Sequence, residues 1–301
     1  NIILNQYLGL NYLGVYLFYG YLGFIGILFL ESLLNYYFKE EDKESFIIKN
    51  FIVLMPSLHF WSSNIGKDAI AIFAICLFLW LLSYKKNIIY CLIPLILIYL
   101  IRPQHSVILI FSILFTFVIF LKARYKFPLI ALIMILVLLN LNSIINLSGI
   151  GLNYNKSIFF FFDSNFYSML DIHLVRRQNL GDYYGSGFIS LTNMIFPSHI
   201  FTYLFRPLPF EAKSIFTLVA SIENLFILLF FSYSMFHFRT FKIFDKKHYF
   251  YLFFFIFALI PLSFLTPNFG ISARQKWIIL IPIMLVCCKI IQTKKLKKII
   301  N

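Results

Sequence analysis

This sequence is poor in charge and in the residues that build metal sites. Only 13% of its 301 residues are charged, and its mean hydropathy is +0.85. Such a composition excludes an ordinary soluble domain and is typical of a polytopic membrane protein. All four cysteines lie inside apolar runs, without a CxxC or a Cys/His spacing. We interpret them as small buried side chains, with neither zinc nor a disulfide framework.

Other signals are missing as well. No signal peptide with a cleavage site, no alternating strand pattern and no internal repeat can be found. The first residue is Asn rather than Met, which is compatible with a fragment or a processed chain that lacks an upstream helix. Because open sheet edges cannot face lipid, we predict an all-α fold, a polytopic membrane helical bundle.

The formal charge of +14 does not predict a nucleic-acid partner. No soluble basic domain exists to hold one, and basic residues in membrane proteins usually mark the cytoplasmic loops.

Apolar segments can be compared with the roughly 20 residues that cross a bilayer. They predict nine or more transmembrane helices within one integral membrane domain, residues 1–301. The segments are 7–34, 46–61, 69–83, 88–101, 106–121, 128–147, 214–236, 249–265 and 276–291.

The loops between these segments predict an orientation. With the start of the chain outside, 17 of the 26 lysines and arginines fall on the cytoplasmic side, as the positive-inside rule requires. The arginines are distributed differently, since five of the seven lie on the outer side. Arginine makes forked contacts to phosphate and carboxylate, so an arginine-rich outer face indicates an anionic ligand there.

Short outer turns hold most of the remaining polar groups. The turn MPSLHFWSSNIGKDAI contains His59, Lys67 and Asp68, the turn RPQHS contains Arg102 and His105, and the turn TPNFGISARQ contains Arg274. We interpret these turns as walls of one outward-facing site. Asp68 has two further interpretations, an ion pair with Lys67 or a helix cap.

One long outer segment, residues 148–213, separates the sixth and seventh predicted spans. Its composition predicts short interfacial helices, one of which carries Arg177. Arg206 and Glu211 follow near the entrance of the seventh span. Inside that span lies Glu223, which must face the protein interior because an ionised carboxylate at mid-membrane costs about 2.5–3.5 kcal/mol.

Four motifs in order carry a resemblance to a known family. PSLHFWSSNIGKDA, YLIRPQHS, FRPLPFEA with ASIENL, and ARQK before the last span resemble the bacterial oligosaccharide repeat-unit polymerases, the Wzy-type O-antigen and capsule polymerases. The resemblance covers about residues 50–285. Nine spans are fewer than is typical of that family.

The resemblance implies a membrane glycosyltransferase of the cytoplasmic membrane with its site facing the periplasm or exterior. Its substrates would be oligosaccharides linked to undecaprenyl pyrophosphate, and its partners membrane lipid, a chain-length regulator and a flippase. The pyrophosphate leaving group supplies the energy, so neither a nucleotide sugar nor another cofactor is expected. By similarity, outer arginines hold the pyrophosphate, and the matching positions here are Arg102, Arg206 and Arg274.

The chemistry then assigns roles to candidate residues. Preorganised cations stabilise the leaving group, and a carboxylate or histidine aligns and deprotonates the acceptor hydroxyl. The expected substrate-binding residues are Lys67, Arg102, Arg177, Arg206 and Arg274. The candidate catalytic bases are Asp68, His59, His105 and Glu211. No DxD motif or carboxylate cluster lies outside, so no metal site is predicted.

Four other functions remain open at this point. A glycan ligase needs similar outer arginines, and a transferase using a polyprenyl monophosphate sugar belongs to the same membrane class. A transporter or flippase would show internal repeats and deep charges, of which we find only Glu223. A scaffolding subunit has no reason to concentrate arginine outside.

Overall fold

Helices form the described part of the chain. The computed structural model describes residues 9, 11–38, 42–84, 86–122, 194, 197–239, 241–266 and 268–300. Ten α-helices and no strand occur in these ranges. They are α1 (Tyr12–Tyr37), α2 (Lys43–Val53), α3 (Pro56–Ser63), α4 (Lys67–Ser83), α5 (Leu92–Ile101), α6 (Pro103–Ile119), α7 (Ser198–Phe205), α8 (Ile215–His237), α9 (Lys246–Leu265) and α10 (Phe269–Ile300).

Four of these helices are long and apolar enough to cross a membrane. The crossing stretches are Tyr12–Tyr37, Ile215–His237, Lys246–Phe264 and Phe269–Lys294. Many large apolar side chains on α1 and α8 are exposed, among them Leu17 and Phe236, which suits contact with lipid. The predicted all-α bundle with membrane-crossing helices is therefore confirmed for the described residues.

Helix α10 lies at the centre of the bundle. In its most apolar stretch 83% of the residues are buried, compared with 28% in α1 and in α8. The run from Trp277 to Cys288 is almost completely covered, because it is apolar on every side and finds neighbours all round. Polar residues at the start of α10 are thereby placed close to several other helices.

Glycines bring α1 very close to α3 and α4. A Cβ on Gly23 would lie 1.9 Å from the backbone oxygen of Ser62, and a Cβ on Gly26 would lie 2.8 Å from Phe73 Cα. Small residues in apolar helices allow such close backbone approach. Gly20, Gly23 and Gly26 recur every three residues, so one face of α1 forms the contact.

Two predicted spans differ most from the helices in the structure. The segment 46–61 is broken, because α2 ends at Val53 and α3 begins at Pro56. Proline has no amide hydrogen and disfavours helical geometry in the preceding residue, so the break falls here. The last span is longer than 276–291, since α10 begins at Phe269. The predicted span 128–147 lies outside the described residues.

The end of the long segment 148–213 packs into the bundle. Helix α7 contacts α8, α9 and α10, and His199, Tyr203 and Phe205 are buried there. The interfacial helix predicted to carry Arg177 lies outside the described residues, whereas the apolar sequence SHIFTYLF forms α7, which has a buried side between other helices. Residues 148–193 lie outside the described ranges.

The bundle has two ends with different polar groups. We call one the arginine end, where α4, α6, α8 and α10 begin. The other is the lysine end, where α1 and α4 finish and α9 starts. Helices α5 and α9 run toward the arginine end and α4, α6, α8 and α10 run away from it, so outer turns that are far apart in sequence meet there.

Candidate functional site

Asp68 joins two arginines at the arginine end. Arg102 Nη2 donates to Asp68 Oδ1, and Arg274 Nε lies 3.1 Å from Asp68 Oδ2, at an angle outside that of a hydrogen bond. Arg102 and Asp68 are buried, whereas 41% of the Arg274 side chain is exposed. We call these three residues the Asp68 cluster.

Local sequence places each member of the Asp68 cluster. Asp68 is in the first turn of α4, where a carboxylate is stabilised by the helix dipole and where the preceding Gly66 offers no side-chain cap. Arg102 lies between α5 and α6, because Pro103 starts a new helix and keeps the residue before it out of helical geometry. Arg274 lies in the second turn of the buried helix α10.

A cavity of about 370 Å³ opens beside the Asp68 cluster. It is lined by Trp61, Asn64, Ile65, Gly66, Lys67, Asp68 and Arg274. The Arg274 guanidinium carbon is 5.9 Å from the centre of the Trp61 ring, a cation–π contact. The cavity therefore combines an aromatic wall, an amide and cationic groups.

Lys67 lines this cavity but does not pair with Asp68. The interpretation of a Lys67–Asp68 ion pair is wrong, because arginines from two other segments occupy both carboxylate oxygens while Lys67 remains exposed. His59 is also not among the cavity residues. It lies about 200° around α3 from Trp61, and its Nε2 donates to the Val53 carbonyl at 2.7 Å.

Behind Arg102 lie buried polar atoms that have no hydrogen-bond partner among the described residues. They are Arg102 Nε, both ring nitrogens of His105 and the Tyr203 hydroxyl. Both His105 and Tyr203 interact electrostatically with Arg102. Arg102, His105 and Tyr203 therefore form a polar cluster inside the bundle, next to Asp68. Nothing in the sequence pattern singled out Tyr203.

Arg206 and Glu211 form a second ion pair at the arginine end. Arg206 Nε donates to both Glu211 oxygens at 2.9 and 3.1 Å, and the Leu208 amide donates to Oε2 at 2.8 Å. The hydrogen bond from Arg206 holds the pKa of Glu211 below its ordinary value of 4.5. Arg206 also lies 5.5 Å from the Phe269 ring, at the start of α10. Arg177 is outside the described residues.

A third polar group is buried beneath these pairs. Glu223, Asn224 and Lys276 are each at most 4% exposed. Glu223 accepts from the Ser57 amide at 2.9 Å, so the prediction that it faces the interior is confirmed. The burial of Lys276 was not predicted, because its position before an apolar run suggested an ordinary outer lysine.

Within the described ranges, no three residues of the His, Cys, Asp and Glu types come close enough to hold a metal ion. Comparisons with family models, with curated proteins and with solved structures found no match to this chain.

Proposed function

We propose that this chain is a membrane glycan polymerase. It joins oligosaccharide repeat units carried on undecaprenyl pyrophosphate at the outer face of the bacterial cytoplasmic membrane. In this proposal the chain crosses the membrane nine or more times, and residues 148–213 form a long periplasmic segment. The arginine end then faces the periplasm or exterior.

One observation carries this proposal: Arg102 and Arg274, from two different segments, meet at Asp68 beside a cavity that Lys67 also lines. Three cations against one carboxylate leave a formal excess of two positive charges. Such preorganised cations suit a leaving pyrophosphate, whose negative charge grows during glycosyl transfer. Trp61 offers an aromatic face to the first sugar next to the phosphate.

The contacts also divide the candidate bases. Asp68 and Glu211 are each engaged by arginine, so we assign them the positioning of those arginines. His59 is turned away from Trp61, and its Nε2 is used by a backbone carbonyl. His105 lies beside Arg102, but it is 1% exposed and, like His59, does not line the cavity, so the contacts assign the role of base to none of the four candidates.

The decisive experiment uses purified full-length protein in lipid nanodiscs with the host's undecaprenyl-pyrophosphate-linked repeat unit and no nucleotide sugar. We expect a ladder of lengthening glycans on a gel. The ladder disappears in Arg102→Ala and Arg274→Ala but persists in Arg239→Ala, an exposed arginine beyond the end of α8. Well-folded protein that gives no ladder with the correct substrate contradicts the polymerase proposal.

A second function, transport of a lipid-linked glycan, is favoured by the buried Glu223 and Lys276, since transporters carry charges inside the membrane. It is tested in proteoliposomes by the movement of labelled lipid-linked repeat unit between leaflets. Movement without elongation would replace the first proposal with this one. A glycan ligase would instead release one product of fixed length on a different acceptor.

A further inference from the structure

Glu223, a residue of α8, contacts the first turn of α3. Its carboxylate accepts from the Ser57 amide at 2.9 Å and also from the Ser57 hydroxyl. Helix α3 begins with Pro56 and has no side-chain cap of its own, so its first-turn amides need a partner from elsewhere. A carboxylate at a helix start is also favoured by the helix dipole. Glu223 of α8 is thus the N-terminal cap of α3.

The same contact extends to α10. Trp277 Nε1 donates to the Ser57 hydroxyl at 2.7 Å, which fixes that hydroxyl for its bond to Glu223. Trp277 and Ser57 are 220 residues apart in sequence, so this contact joins distant parts of the chain. The far end of α3 carries Trp61, the aromatic wall of the cavity next to Arg274.

Asn224 makes a second connection with its side-chain amide. Its nitrogen donates to the Pro207 carbonyl at 3.1 Å, and its oxygen accepts from Lys276. Pro207 directly follows Arg206, and Lys276 is two residues from Arg274. One amide therefore ties both arginines to the same point of α8.

Lys276 completes this group. It is 2% exposed, and Glu223 lies within electrostatic range of it. A buried ammonium and a buried carboxylate are costly unless they are hydrogen-bonded and near an opposite charge, and here Lys276 bonds to Asn224 while Glu223 bonds to Ser57. Removing either charge leaves the other without its counter-charge, so the group behaves as one unit.

We infer that Glu223, Asn224 and Lys276 form a buried positioning hub that sets the spacing of Arg206, Arg274 and Trp61, and thereby selects an anion with two linked phosphates over a single phosphate. This inference rests on the proposed function, because it assumes that these arginines bind phosphate. The spacing matters because Phe269, which contacts Arg206, lies about 7.5 Å along α10 from Arg274. Because the two arginines come from different segments, two linked phosphates offer each arginine a phosphate of its own, whereas a single phosphate offers them only one.

The test measures the binding of inorganic pyrophosphate and of orthophosphate to the full chain by calorimetry. Wild-type protein is expected to prefer pyrophosphate. Glu223→Gln and Asn224→Asp should weaken pyrophosphate binding about tenfold, as for one lost charge-assisted hydrogen bond, and orthophosphate binding much less. Trp277→Phe keeps both hub charges, removes only the bond to Ser57 and should give a smaller shift in the same direction.

The matched control is Ser83→Ala, which breaks the Ser83–Tyr251 hydrogen bond of 2.8 Å at the lysine end. This variant should bind both anions with wild-type affinity. Size-exclusion profiles establish that every variant is folded. If the hub variants lose affinity for both anions equally, or for neither, the positioning role of the hub is wrong, while the wild-type preference for pyrophosphate stands. Wild-type protein that binds neither anion overturns the proposed function itself and the hub with it.

Discussion

The two ends of the helical bundle use polar side chains in different ways. At the lysine end Tyr37 bonds to His248 Nε2 at 3.0 Å, and His248 Nδ1 lies 2.6 Å from Asp245. Lys247 lies 4.0 Å from the Tyr36 ring. At the arginine end, by contrast, ion pairs line an open cavity. Hydrogen bonds and aromatic contacts hold the helices together at the lysine end, whereas at the arginine end three cations gather around one carboxylate beside a cavity.

This difference predicts that substitutions at the arginine end change anion binding, while those at the lysine end change stability alone. We expect the largest effect from Arg102→Ala. Removing one partner of a buried pair costs about 3 kcal/mol of unfolding free energy, because Asp68 stays buried with one counter-charge fewer. Pyrophosphate binding, measured by calorimetry, should also be lost.

A double variant sharpens this prediction. Adding Asp68→Asn to Arg102→Ala removes the uncompensated carboxylate, so most of the stability should return in chemical unfolding experiments. Pyrophosphate binding should not return, because the cation is still missing. Recovery of binding in the double variant would show that Arg102 serves only as a partner of Asp68.

The next largest effect is expected from Gly23→Ala. Its new Cβ would meet the Ser62 backbone oxygen at 1.9 Å, so α3 must move, at a cost of about 1–3 kcal/mol. Ser62 is next to Trp61, so the fluorescence of that tryptophan should shift. Gly20→Ala is the control, because its Cβ meets Ser63 only at 3.9 Å. Equal effects of the two variants would contradict this explanation.

At the lysine end we expect a smaller and purely structural effect from Tyr37→Phe. The change leaves His248 Nε2 buried without its partner, which costs about 1 kcal/mol. Thermal unfolding should detect the loss. Pyrophosphate affinity should equal that of the wild type, and a reduced affinity would show that the two ends are coupled.

The smallest effect concerns acid stability. Arg206 lowers the pKa of Glu211 in the folded protein, so the pair stabilises the fold above pH 4.5 and loses that contribution as the pH falls through the lower folded value. The free energy of unfolding, measured across this pH range, should therefore fall less steeply with acid in Glu211→Gln than in the wild type. An identical slope would show that the pair adds nothing to stability.

Some features of the arginine end were predictable from the sequence and others were not. The uneven arginine distribution predicted that Lys67, Arg102 and Arg274 share one side of the bundle, and the structure places them at one end around Asp68 and its cavity. The partners of Asp68 were not predictable, since hydrogen-bond pairing depends on how α4 and α10 rotate against each other. Local sequence favoured the adjacent Lys67 instead.

The buried hub and the glycine contact were harder to predict from the sequence. Lys276 looked like an outer lysine because its burial comes from the surrounding helices and not from its neighbours in sequence. Glycines at 20, 23 and 26 on an apolar helix could have indicated the close contact with α3. The predicted roles of Arg177 and of the segment 128–147 stay predictions, since both lie outside the described residues.

The position of three side chains on α10 has a consequence for how the sequence can vary. Arg274, Lys276 and Trp277 lie within one helical turn, yet they meet Asp68, Asn224 and Ser57 on three other segments. Inserting a single residue before this turn rotates it by about 100° and moves all three from their partners at once. A substitution on a lipid-facing helix changes the contacts of one side chain. A change in chain length before this turn of α10 instead disrupts all three contacts at once.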